Sequence, residues 1–306
     1  MRIRLKPWLF FVLLAAIVAL AVLSIERFRY RVVHSDSDLV ALLPQTTATR
    51  FFVDLDALRR AHVLRVLAAT KPAEENDYRQ FVQATGFDYT RDADTIAGSA
   101  DSNQIFIALR GRFDWGRLAR YAITHGGSCE SSYCKLPTTR PGRWASFRSI
   151  QPDVIGLALS ADPAAASSFV PTRRAHRKPI PTDPVWIRPA PSLLSDPASL
   201  PLPARILAIS LQFADEVTLS LGPSTSTSAP FELKLVAVYP SPAMADTTRS
   251  QLEIDTKMLK LELAREHQQP NPADLTGLLV SGTFQVVKDE VLGVWPIKQE
   301  LLNRLQ

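Results

Sequence analysis

Two periodicities alternate along the chain. From Arg50 to Leu55 a two-residue repeat puts Phe51, Val53 and Leu55 on one side and predicts a half-buried strand. The spacing then changes to three and four. Ala57, Ala61, Leu64 and Ala68, widened by Leu58 and Leu67, predict an amphipathic helix that starts near Asp56 and breaks at Lys71-Pro72. A second short helix is expected over Glu74–Thr85, with Tyr78, Phe81 and Val82 on one side and Gly86 ending it. Gln104–Arg110 reads as a strand that leads through Gly111-Arg112-Phe113 to Asp114, placed to cap a helix from Trp115 to His125. Arg143–Ile150 and Asp153–Ser160, separated only by Gln151-Pro152, predict an antiparallel hairpin, and Asp162-Pro163 opens a brief helix.

Residues 171–203 hold nine of the chain's 23 prolines with Arg173, Arg174, His176, Arg177 and Lys178, a density that predicts a linker without regular helix or central strand. Alternation returns in Arg205–Phe213, Glu216–Gly222 and Phe231–Tyr239, all expected as strands. The last sets Phe231, Leu233, Leu235, Ala237 and Tyr239 against Glu232 and Lys234. Ser241-Pro242 opens the longest helix, to about His267, and a strand over Leu278–Val287 and a helix from Pro296 follow. Gly-x-Phe occurs at a strand exit in each half, as Gly111-Arg112-Phe113 and Gly282-Thr283-Phe284. The expected fold class is α+β: an N-terminal transmembrane helix, then mixed, mainly antiparallel sheet units with packed helices, read as two ferredoxin-like repeats. The expected divisions are an anchor over 1–31, a stalk over 32–48, a first unit over 49–170, the linker over 171–203 and a second unit over 204–306.

The anchor is the run Trp8–Ile25, 18 residues without a charge, long enough for a hydrocarbon core of about 30 Å. Basic and aromatic residues flank it on both sides. Ala19-Leu20-Ala21 offers a small-x-small cleavage site, but the apolar run continues past it, which favours a retained anchor. The formal charge of +5 lies there too. Residues 1–31 hold six basic side chains against Glu26 alone, which leaves 29 of 35 basic and 29 of 30 acidic residues for everything after. The basic excess therefore suits lipid head groups and gives no support to nucleic-acid binding. Membrane lipid is the first expected partner. The expected location is the bacterial inner membrane, single-pass, with the C-terminal part periplasmic or otherwise extracytoplasmic. Cys129 and Cys134 enclose four residues and can form a disulfide if the loop turns as a hairpin, which suits an oxidising compartment. Two free thiols, or a metal site with His125, are the alternatives.

Recognisable chemistry is sparse. The glycine loops of nucleotide sites are absent, as are HExxH and GxSxG, and Glu266-His267 lacks a second histidine. Ser132-Tyr133-Cys134-Lys135 matches SxxK, but in an expected hairpin and not at a helix start. Asp88, Asp92, Asp94 and Asp101 form an acidic segment without the register of a calcium loop, so turn and cap duty is expected of them; Asp54 and Asp56 are a carboxylate pair that capping also explains. No catalytic, cofactor or metal residues are assigned.

The run Phe51 to Arg59, Gly86-Phe87-Asp88 with Arg91-Asp92-Ala93-Asp94, and Arg110-Gly111-Arg112-Phe113 resemble uncharacterised bacterial membrane-anchored envelope proteins, a family of unknown function. The likeness covers mainly residues 40–125, with a looser echo at 274–295, and implies architecture and location without mechanism. The expected function is a non-enzymatic envelope module that binds a protein partner or surface component. An envelope hydrolase with dispersed residues is the alternative.

Overall fold

The structure is a computed structural model that describes residues 33, 35–44, 47–62, 64, 76–169, 180–196, 202–224, 229–267, 269–271 and 273–304. The expected span Trp8–Ile25 and the basic cluster at 173–178 lie outside these residues. No helix among the described residues is long and apolar enough to cross a membrane.

The twelve strands among the described residues, numbered in chain order, join in one antiparallel sheet, ordered β11-β12-β10-β9-β8-β1-β2-β3-β7-β6-β5-β4. The N-terminal part contains α1 (Asp36–Ala41), β1 (Thr49–Asp54), α2 (Leu55–Arg60), α3 (Asn76–Thr85), α4 (Tyr89–Asp92), β2 (Ala93–Ala100), β3 (Ile105–Gly111), α5 (Trp115–Thr124), β4 (Ser128–Glu130), β5 (Tyr133–Pro137), β6 (Trp144–Gln151) and β7 (Val154–Ser160). A 3-10 turn at Ala165–Ser168 follows. The C-terminal part contains β8 (Val185–Arg188), α6 (Pro191–Ser195), α7 (Leu202–Ser210), β9 (Glu216–Pro223), β10 (Phe231–Val238), α8 (Pro242–Arg265), α9 (Leu275–Leu279), β11 (Thr283–Val287), β12 (Glu290–Ile297) and α10 (Gln299–Arg304).

One connectivity occurs twice. A first strand leads through helices to a hairpin (β2–β3, β9–β10), a helix leads out to the edge, and the last strand (β7, β12) returns to the hairpin's second strand. The two units meet where β1 pairs with β8 over four residues, Arg50 to Val53 against Arg188 to Val185. The two Gly-x-Phe sites do not mark this repeat: Gly111 ends β3, whereas Gly282 precedes β11.

Alternation along the strands divides the core between two faces. On one, α5 lays Leu118 and Ala122 over Phe147 and Ile155, and α7 and α8 lay Ala208, Leu211, Ala245 and Leu252 over Val217, Leu235, Val291 and Trp295. On the other, α1 and the 3-10 turn bring Leu39, Val40, Ala165 and Phe169 onto Phe52, Ala97 and Ala108 of the N-terminal unit and onto Trp186 of β8 at the seam. Ser35 fixes the start of α1 through a capping box with Asp38.

Several elements differ from expectation. The stalk contains α1, because Leu39-Val40 and Leu42-Leu43 supply apolar surface that the sheet buries. The proline-rich stretch contains β8, a central strand held between prolines 184 and 189; the Pro184 carbonyl even accepts from the Asp54 amide at 2.7 Å. Residues 202–210 are helical where a strand was expected to begin at Arg205, because Leu207, Ala208 and Leu211 share a helical side against the C-terminal core. Within Leu278–Val287 the first residues belong to α9, and Pro296 lies in β12 with α10 starting after it.

Cys129 and Cys134 face each other across β4–β5 and are joined by a disulfide. Their sequence separation of 5 closes a very short loop, so loss of the bond releases little chain entropy. Replacing both cysteines by alanine is expected to cost about 2 kcal/mol in denaturant unfolding.

Candidate functional site

In the C-terminal unit no helix among the described residues covers the second sheet face. Glu216, Thr218 and Ser220 of β9, Lys234, Val236 and Val238 of β10, and Glu290 of β12 form the floor of a groove of 620 Å³. Residues 180–183 and Arg188 wall one side of it. This position follows from alternation: the same strands send Val217, Leu235 and Val291 to the opposite, helix-covered face.

Four of the six charged residues that line the groove are paired with one another, Asp183 with Lys234 and Glu216 with Arg188. The Asp183 carboxylate accepts from the Ser220 hydroxyl at 2.6 Å and from Lys234 Nζ at 3.0 Å. Lys234 Nζ also lies 3.5 Å from Glu232, a buried carboxylate that accepts from the Ser224 hydroxyl at 3.1 Å. Arg188 Nε donates to Thr218 Oγ1 at 3.1 Å and stands 3.4 Å from Glu216, with its guanidinium 5.3 Å over the Trp186 ring. Beside it, directly across β1–β8, is Arg50; burial first, and Arg188 second, pull its guanidinium below the usual arginine range. A smaller pocket of 320 Å³ joins Arg50 and Arg188 to Asp215 and Glu216 near the ends of the central strands β1, β8 and β9.

Gly222 lets Asp183 reach the sheet, since a Cβ there would meet Asp183 Oδ1 at 2.1 Å. Gly222→Ala is expected to displace the carboxylate from Ser220 and Lys234 at a cost of about 1–3 kcal/mol, read as a lowered midpoint in urea.

The residues singled out in the sequence lie elsewhere. Asp54, not Asp56, caps α2, accepting from the Ala57 amide at 2.8 Å; Asp56 pairs with Arg59 and Arg60. Asp114 caps α5. Ser132 sits in the β4–β5 turn and Lys135 on β5, so the SxxK spacing has no helical turn to act through. The His125 ring stacks on Tyr121 and its Nδ1 lies 2.8 Å from the Tyr121 carbonyl. Among the described residues, no three His, Cys, Asp or Glu gather as metal ligands do.

The acidic segment is a cap and an ion-pair cluster. Asp88 accepts from Thr90 and from the Tyr78 hydroxyl; burial pushes its carboxyl up, but these bonds and Arg91 pull it below the ordinary value. Burial, and then the bond to Asp88, raise the Tyr78 phenol. The hydrogen bond from Arg91, helped by the Asp88 amide and Arg112, holds Asp92 down at about 2 against the opposing effect of burial. A depressed carboxyl stabilises the fold above its unfolded pKa and loses that contribution as pH falls through the folded value. Asp92→Asn is therefore expected to cost about 1 kcal/mol at pH 7, discounted for the exposed arginines, with the difference from wild type vanishing between about pH 4 and 2 in acid titration.

The groove residues were only partly visible in the sequence. Glu232 and Lys234 stand out as the polar side of an alternating strand, but nothing local connects them to Asp183 about fifty residues earlier.

The architecture is thus an α+β fold on one large antiparallel sheet. No protein-family model matches the chain, and no curated protein matches it in sequence. Solved structures of TP0453 in crystal forms I, III and IV are similar at 10%, 7% and 9% identity, covering 89%, 87% and 86% of this chain and 98%, 96% and 94% of theirs, with TM-scores of 0.45, 0.44 and 0.43.

Proposed function

We propose that this chain is a non-enzymatic binding module of the bacterial envelope, held in the inner membrane by Trp8–Ile25, which docks a basic protein segment on the uncovered sheet face of its C-terminal unit. The observation that carries the reading is the groove itself. Its lining contains four carboxylates, Asp183, Asp215, Glu216 and Glu290, against two cations, Arg188 and Lys234. An acidic surface of this kind draws and orients a cationic partner. Two further features support a role in binding. β11 is an edge strand, and Ile254, Met258 and Leu261 are 50%, 63% and 61% exposed on the outer side of α8.

The same collection of carboxylates motivates the hydrolase alternative, with Asp183 as base to Ser220. It is the weaker reading, because Asp183 is already bonded to Lys234 as well as Ser220, and Ser220 is buried. The test is affinity capture of the tagged full chain from solubilised membranes, beside an Asp215→Lys/Glu290→Lys variant. The proposal expects one protein recovered reproducibly with wild type and lost with charge reversal. Recovery of the chain alone, or a partner indifferent to the reversal, counts against it.

A further inference from the structure

We infer that the N-terminal unit holds a second binding site, a cavity between α3, α5 and the helix-covered sheet face that takes a single hydrocarbon chain of a lipid. It is independent of the groove, so either site can fail its test without the other. The cavity measures 270 Å³, and of the twelve side chains that line it only Tyr121 carries a polar group. Phe81, Phe87, Phe113 and Tyr121 form its aromatic rim, with Phe87 and Phe113 stacked at 5.2 Å and Phe81 edge-on to Tyr121 at 5.2 Å. These rings are only partly buried, so the space communicates with the surface.

Well-packed interiors keep few voids larger than a water molecule. An apolar cavity of about 150 Å³ already stays dry and accepts a benzene-sized guest, and this one is larger. Apart from the Tyr121 hydroxyl at the rim, its lining offers no hydrogen-bonding group and no charge, so what fills it is hydrocarbon. A carbon of an extended chain takes roughly a water's share of liquid volume, about 30 Å³, so the space suits about nine carbons. That is one acyl chain or part of one, and too little for a fused ring system of sterol size.

Trp115 provides a local reporter, because it packs edge-on to Phe147 of the lining at 5.5 Å. The full chain in long-chain lipid nanodiscs is titrated with terminally brominated carboxylates of six to fourteen carbons. The reading is the quenching that Trp115→Phe removes. Affinity is expected to rise about fourfold per methylene and level off near nine carbons. Ala145→Leu, which fills the cavity, moves the plateau to shorter chains and weakens ten-carbon binding at least tenfold; Leu157→Ala, which enlarges it, moves the plateau to longer ones. Brominated decanoate and decanol binding alike mark a free chain as the ligand, whereas binding of brominated didecanoyl phosphatidylcholine alone marks a membrane lipid's acyl chain, and both support the site. Affinity that climbs to fourteen carbons without levelling, or a plateau that neither variant moves, overturns it.

Discussion

Trp186→Ala is expected to destabilise the protein by about 3–5 kcal/mol, and to do so in both units at once. The side chain is 1% exposed and stacks on Phe52 at 5.7 Å, one ring from each side of the β1–β8 seam. That seam is short. β8 pairs with β1 at four positions and with β9 at three, so the sheet has little else to carry its continuity there. The expected result in hydrogen exchange is lost protection in β1, β2 and β9 together. Trp186→Phe preserves the stacked ring and removes an indole N–H that has no hydrogen-bond partner among the described residues, so its cost should stay below about 1 kcal/mol. A large loss with phenylalanine would mean that the indole volume, and not the stacking across the seam, holds the units together.

Trp295→Ala is expected to cost about as much, 3–5 kcal/mol, but locally. Trp295 is 2% exposed in the C-terminal core, edge-on to Phe284 at 5.4 Å and pressed against Gly282, where an added Cβ would lie 2.4 Å from its indole nitrogen. Among the described residues it belongs to the C-terminal core and to none of the N-terminal ones. Exchange should accelerate through β9, β10 and β12 while β2, β3 and β7 keep their protection. An equal response in both units would show that the sheet opens as one body despite the repeated connectivity.

The parts of this fold that were legible in the sequence are those in which one face of an element is apolar and the other polar. β9 and β10 alternate cleanly because one side meets α8 and the other carries the polar side chains of the groove floor, and Asp114 and Ser241 announce α5 and α8 because capping is a local interaction. β2 was invisible for the opposite reason. It is buried on both faces, so it is built from small residues: Ala97 sits beside its cross-strand partner Phe52 in the core, and Gly98 leaves room for the Phe51 ring, which a Cβ would meet at 2.0 Å. The string ADTIAGSA then reads as a loop. β12 hides behind Gly293 and Pro296, each tolerated by a particular neighbour, Gly293 by the Trp295 and Phe284 rings and Pro296 by its place near the strand's end. β8 shows how proline density misleads, since prolines that exclude a long strand can bracket a four-residue one.

The candidate site was less legible still. Its walls come from segments far apart in sequence, and it stays open because the cover from α1 and the 3-10 turn reaches no further than Trp186 of β8. No pattern within a single strand reports what is missing above it.

The central claim is that the uncovered sheet face of the C-terminal unit is where a partner docks. Its most direct test is a photo-crosslinking residue placed at Val236, on the groove floor, in the full chain in living cells, with Ile123 on α5 as an exposed control position. One discrete adduct is expected from position 236 that Asp215→Lys/Glu290→Lys abolishes, and none of that mass from position 123. Adducts that are absent at 236, or the same from both positions, would contradict it.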